Sequence, residues 1–117
     1  MSEFNENMKR LAQMYVNKYG DNYDTPIRVE AIHDLETVCA YCQLHDTPQP
    51  QVFPWAGGVG CNAEWIEDDY YIALSTNGQE IHLCMGKKDP VRAVEFKVTG
   101  LHDAIKQVIT IFQVLNL

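Results

Sequence analysis

Three prolines within seven residues, Pro48, Pro50 and Pro54, divide the chain into two stretches of opposite periodicity. Proline fixes φ and has no N–H to donate, so no helix crosses this segment and at most a short edge strand fits around Gln51 to Phe53. Before it, apolar side chains recur at helical steps; after it, they alternate.

Phe4, Met8, Leu11, Ala12, Tyr15 and Tyr19 fall on one stripe of a helix predicted over residues 3–19. Ser2 caps its start, and Lys18 with the following Gly20 marks its end. Thr25-Pro26 either opens a helix or begins a short extended stretch through Val29, and the residues do not choose between these. Ala31, Leu35, Val38, Cys39 and Cys42 then mark a second helix, 31–45.

Beyond the prolines the apolar residues step by two: Val59, Cys61, Ala63 and Trp65; Tyr70, Ile72 and Leu74; Ile81, Leu83 and Met85; Val94, Phe96 and Val98. Glu67-Asp68-Asp69 turns the first of these runs into the second, and Asn77-Gly78 supplies the positive backbone angles of a hairpin before the third. Leu101, Ala104, Ile105, Val108, Ile109, Phe112 and Leu115 form the broad apolar face of a last helix, 101–115. The expected fold is therefore α+β, one domain over residues 1–117. An antiparallel meander of four to five strands over 51–98 carries two N-terminal helices and one C-terminal helix, packed mainly on one face. The other sheet face is left for solvent or a partner.

Sixteen Asp and Glu against nine Lys and Arg give a formal charge of -7. That charge repels a phosphate backbone, so direct nucleic-acid binding is not expected, and it steers the molecule toward a basic protein. No run reaches the ~20 apolar residues that span a bilayer, and the polar start does not read as a secretory signal, so a cytoplasmic protein without membrane contact is expected. The four cysteines then read as thiols.

Pro50-Gln51-Val52-Phe53-Pro54-Trp55-Ala56-Gly57-Gly58-Val59, with Trp65 six residues on, resembles a pattern of small bacterial α+β proteins. There a helix leads to P-x-V/I-x-P, a G-G-V/I turn, a strand ending in Trp, a second strand, an N/D-G hairpin and a closing helix. The resemblance spans about Asp34 to Leu115, and Ala56 departs from it where an acidic or polar residue is expected. It carries no catalytic residues, and some such proteins look like accessory partners of toxin or defence systems.

Several residue sets offer candidate chemistry. Cys39, Cys42 and His45, with Cys61 or with His82 and Cys84, contain enough sulfur and imidazole for tetrahedral zinc. Cys39 and Cys42, however, occupy apolar positions of a helix, where cysteine packs as a small hydrophobe, so no metal ligand and no cofactor is expected. Cys61 as a nucleophile, with His82 or His102 as base, lacks the helix N-terminus or cationic neighbour that makes a thiolate, and no catalytic residue is assigned. Glu64, Glu67, Asp68, Asp69 and Glu80 read as turn and surface acids rather than an acid–base pair, and with Asp21 and Asp24 they are too sparse to imitate a phosphate run.

The expected function is a non-enzymatic binding or inhibitory protein, of immunity or antitoxin type, acting on a basic partner such as a nuclease or nucleic-acid enzyme. Trp55, Glu67, Asp68, Asp69 and Tyr71 are its expected contact residues, Trp55 as an anchor where its loop exposes it, the alternative being a ring folded back to seal the core beneath the loop. The alternative is a small zinc-binding or cysteine-dependent enzyme using Cys61, His82 and Cys84; self-association as a homodimer is a third expectation.

Overall fold

The computed structural model describes residues 2–16, 27–54, 60–88 and 91–115. Among them are three helices, α1 (Glu3–Val16), α2 (Val29–Leu44) and α3 (Leu101–Leu115). Five strands, β1 (Gln51–Pro54), β2 (Cys61–Glu67), β3 (Tyr70–Thr76), β4 (Ile81–Lys88) and β5 (Val91–Phe96), lie between α2 and α3. The strands pair antiparallel in chain order, a five-stranded meander, so the architecture is the α+β one expected.

Because strand side chains alternate, the sheet has two unlike faces. The register aligns Val52, Ala63, Leu74 and Leu83 in one buried row, with Trp65 and Ile72 beside it and Cys61 and Thr76 on its other flank. Leu11 and Met14 of α1, Ile32, Leu35, Val38, Cys39 and Cys42 of α2, and Ala104, Ile105, Val108 and Phe112 of α3 close over that face. Helix α1 packs on α2 and β1, α2 on β2, and α3 on α2 and β4. Each large apolar side chain removed from water here contributes roughly 1.5–3 kcal/mol.

The helix boundaries show how the ends are satisfied. Ser2 caps α1, its Oγ accepting from the Asn5 N–H at 3.2 Å. The expected end of α1 at Tyr19 and Gly20, and the Thr25-Pro26 alternative, lie outside the described residues. Helix α2 starts two residues before the predicted Ala31, from an extended Arg28 with no side-chain cap, while Ile27 is already buried in the core. Its C-terminus closes as a Schellman turn, in which Asp46 takes the left-handed position (φ 55) and the Thr47 N–H donates to the Cys42 carbonyl at 2.9 Å.

The proline segment offers carbonyls, and donors from elsewhere meet them. Trp65 Nε1 donates to the Pro48 carbonyl at 2.7 Å and Asn7 Nδ2 to that of Pro50 at 2.8 Å. Gln49 Nε2 reaches the Cys39 carbonyl of α2 at 2.8 Å. The Asn77-Gly78 hairpin is pinned in the same way: Thr76 Oγ1 donates to Asp34 Oδ2 at 2.6 Å and accepts the Gly78 N–H at 3.0 Å. Gly78 has φ 89, and a Cβ there would lie 2.7 Å from Glu30 Cβ, so both backbone angle and space require glycine.

Candidate functional site: an open sheet face

All three helices pack against the face that carries Trp65 and Leu74, which leaves the residues of opposite parity uncovered by them. Directly opposed residues of an antiparallel pair share a face, so the register names this open surface row by row. One row runs Gln51, Glu64, Ala73, Cys84, Glu95 across all five strands. To one side lie Phe53, Asn62, Ser75 and His82, and to the other Ile66, Tyr71, Gly86 and Ala93. The two inner strands β3 and β4 thus present mainly small side chains, Ala73, Ser75, Cys84 and Gly86, as a shallow floor.

Two carboxylates fence that floor. Glu64 and Glu95 stand three strand spacings apart, about 14 Å at the backbone. Burial raises the Cys84 thiol, and the negative fields of Glu95 and Glu64 raise it further, which places that sulfur under the influence of both. At the end of the floor, His82 Nδ1 lies 2.9 Å from Glu95 Oε1 and Nε2 lies 3.7 Å from Glu80 Oε2. The hydrogen bond to Glu95 is the main cause that holds the imidazole above its usual range. A raised folded value means that the pair stabilises the fold fully below about pH 6.5 and loses that contribution as pH rises through the folded value. The residues are exposed, so the expected contribution is only a few tenths of a kcal/mol. Histidine NMR titration checks the cause: Glu95→Gln is expected to lower the His82 midpoint, and an unchanged midpoint would show that the carboxylate does not set it.

The expected contact residues divide. Tyr71 lies on the open face with its ring over Gly86, where any Cβ would collide with it. Asp68, at φ 33, and Asp69 are exposed in the β2–β3 turn. Glu67 has the parity of Trp65 and pairs with Tyr70, so it stands at the rim of the helix-covered side and not on the open face. Trp55 lies outside the described residues. The structure adds Ile66, 51% exposed beside Tyr71, and the Glu64 and Glu95 pair. Their signal in the sequence is phase: each sits one step off the apolar alternation of its strand.

The cysteine sets do not converge. Cys61 faces the helices, fully buried, and burial pushes its thiol up to about 12, with the field of Asp34 adding to the effect. His82 and Cys84 stand on the opposite face, with the sheet backbone between. Cys39 and Cys42 are core residues of α2 whose thiols burial likewise pushes up to about 12, while His45 is exposed and stacks on Tyr41. Thiols held so high remain protonated and are poor nucleophiles near neutral pH. No protein-family model, curated protein or solved structure matches this chain.

Proposed function

We propose that the chain is a non-enzymatic binding protein that docks a basic protein through its open sheet face, as an inhibitor, immunity or antitoxin-like subunit does. The observation that carries this reading is the floor of small residues fenced by Glu64 and Glu95, on a face that none of the described helices covers, in a chain of net charge -7. An arginine or lysine stem from the partner covers Ala73 and Cys84, and its charged head sits between the two carboxylates. Ile66 and Tyr71 supply the apolar anchor beside it, and the net charge speeds encounter. A nuclease or nucleic-acid enzyme has the required basic surface, and the resemblance to accessory proteins of toxin and defence systems points the same way. Four free thiols suit a reducing cytoplasm, and no described helix is long and apolar enough to cross a membrane.

The test uses the intact chain as bait in an extract of its native host, beside two charge-reversed baits: Glu64→Lys with Glu95→Lys, and the helix-side Glu3→Lys with Glu6→Lys. Expected is one basic protein, retained by the wild type and the helix-side variant. In a titration with that protein purified, the sheet-face variant binds roughly 100-fold more weakly. Equal binding by all three baits removes the proposed face. So does a stable homodimer in sedimentation that buries Tyr71 and Ile66.

A further inference from the structure

On the helical side of the molecule, away from the open sheet face, α2 and α3 leave a groove of about 390 Å³ between them. Its floor is apolar: Ile105 is buried, and Tyr41 and Ile109 are half-buried. Two imidazoles flank the Tyr41 ring. His45 lies nearly parallel to it with centroids 6.1 Å apart, and His102 meets it edge-on at 5.8 Å. Lys106 lines the same groove one turn along α3 from His102.

The charge of this lining runs against that of the chain. Acids outnumber Lys and Arg sixteen to nine overall, yet among the described residues no carboxylate lines the groove, while the Lys106 ammonium and the imidazoles of His45 and His102 do. Asp103, next to His102, turns away: its carboxylate accepts the Thr99 N–H at 2.9 Å and the Gln107 side chain at 3.2 Å. The Thr99 N–H above all, then the Gln107 amide and last the Lys106 charge, hold that carboxyl below its usual range, and Asp103 is not part of the lining. The volume lies within the roughly 300–1,000 Å³ of small-molecule sites, and the composition matches them too, an apolar and aromatic floor with a few convergent polar groups.

We propose that this groove binds a small carboxylate with an aromatic or short aliphatic body. The carboxylate meets His102 and Lys106 as charge-assisted hydrogen bonds, and the body covers Tyr41 and Ile109. A neutral or cationic molecule of the same shape gains the apolar contact and loses the ionic one. The proposal is independent of the sheet-face reading, because the two surfaces share no residue.

Heteronuclear NMR titration of the intact chain with phenylacetate, 2-phenylethanol and phenethylamine tests it. Expected are saturable shifts at Tyr41, His102 and Ile109 with phenylacetate, half-complete at ~1 mM or below. At least roughly tenfold weaker binding is expected for the alcohol and the amine. Lys106→Glu and His102→Ala, both exposed positions whose replacement leaves the core intact, should each weaken phenylacetate by a similar factor, whereas Glu95→Lys should not. No saturable shift by ~10 mM phenylacetate overturns the proposal. Equal or tighter binding of the amine, or binding indifferent to both groove variants, overturns it as well.

Discussion

Replacing Trp65 by alanine is expected to lower folding free energy by about 3–5 kcal/mol and the melting temperature by roughly 12–20 °C. Trp65 is 2% exposed and joins three parts of the fold. Its ring lies opposite Ile72 in the sheet and meets Phe112 of α3 edge-on, with centroids 6.2 Å apart. Its Nε1 donates to the Pro48 carbonyl. Truncation therefore leaves a cavity between sheet and helix and also removes the donor that holds the proline segment. Trp65→Phe separates these effects: the ring mass is largely kept, and loss of the hydrogen bond alone should cost about 1–3 kcal/mol. Urea unfolding of the three proteins gives the order wild type, phenylalanine, alanine; a cost below about 1 kcal/mol for alanine would show that the joint lies elsewhere.

Gly60→Ala should destabilise by about 2–3 kcal/mol, although it adds a single methyl group. Gly60 is buried just before β2, and a Cβ there would run into the Thr76 carbonyl oxygen. It would also lie 3.0 Å from the Thr76 carbonyl carbon and 3.2 Å from Asn77 Cα. All of these are backbone atoms. Thr76 is held from the other side as well, by pairing with Cys61 and Ile81 and by its bond to Asp34, so it has nowhere to retreat without opening the β2–β3 register. Gly86→Ala is the matched comparison, since the three atoms nearest the added methyl all belong to the far end of the Tyr71 side chain, which can swing into solvent on the open face. Its cost should stay below about 1 kcal/mol. If denaturant midpoints show Gly60→Ala to be no worse than Gly86→Ala, the backbone-contact argument fails.

A change at Glu64 or Glu95 belongs to a different class. Both carboxylates are on the uncovered face, so their reversal should act on partner affinity while leaving unfolding midpoints nearly unchanged. Trp65 and Gly60 variants act in the opposite sense, through the fraction of folded protein. Measuring stability and binding on the same variants therefore separates the surface from its scaffold.

Element type was legible in the sequence because periodicity is local. The apolar face from Leu101 to Leu115 predicts α3 over its observed range, and the alternations around Ala63, Ile72, Leu83 and Phe96 each become a strand. The hairpin expected at Asn77-Gly78 is there, but as a four-residue loop closed by the Thr76–Ile81 pair, in which Gly78 has a positive φ and Asn77 does not. Tyr71, Asp68 and Asp69 were legible as surface candidates for a similar reason, since a turn exposes its acids and alternation sends one of two adjacent tyrosines outward. Strand β5 stops at Phe96, short of the Val98 that the alternation includes, because pairing with β4 ends there.

Long-range partners were not legible. Nothing near Asn7 announces that its amide will hold Pro50, 43 residues away, or that Trp65 will hold Pro48. The fence around the floor depends on three successive strand registers that bring Glu64, Ala73, Cys84 and Glu95 into one row, and a one-residue slip in any of them would send a member to the other face. The same parity separates Cys61 from His82 and Cys84, although all three look equally available along the chain. Spacing along the chain, a property of neighbouring residues, determined what the elements are; the pairing of distant backbones decided which side chains meet.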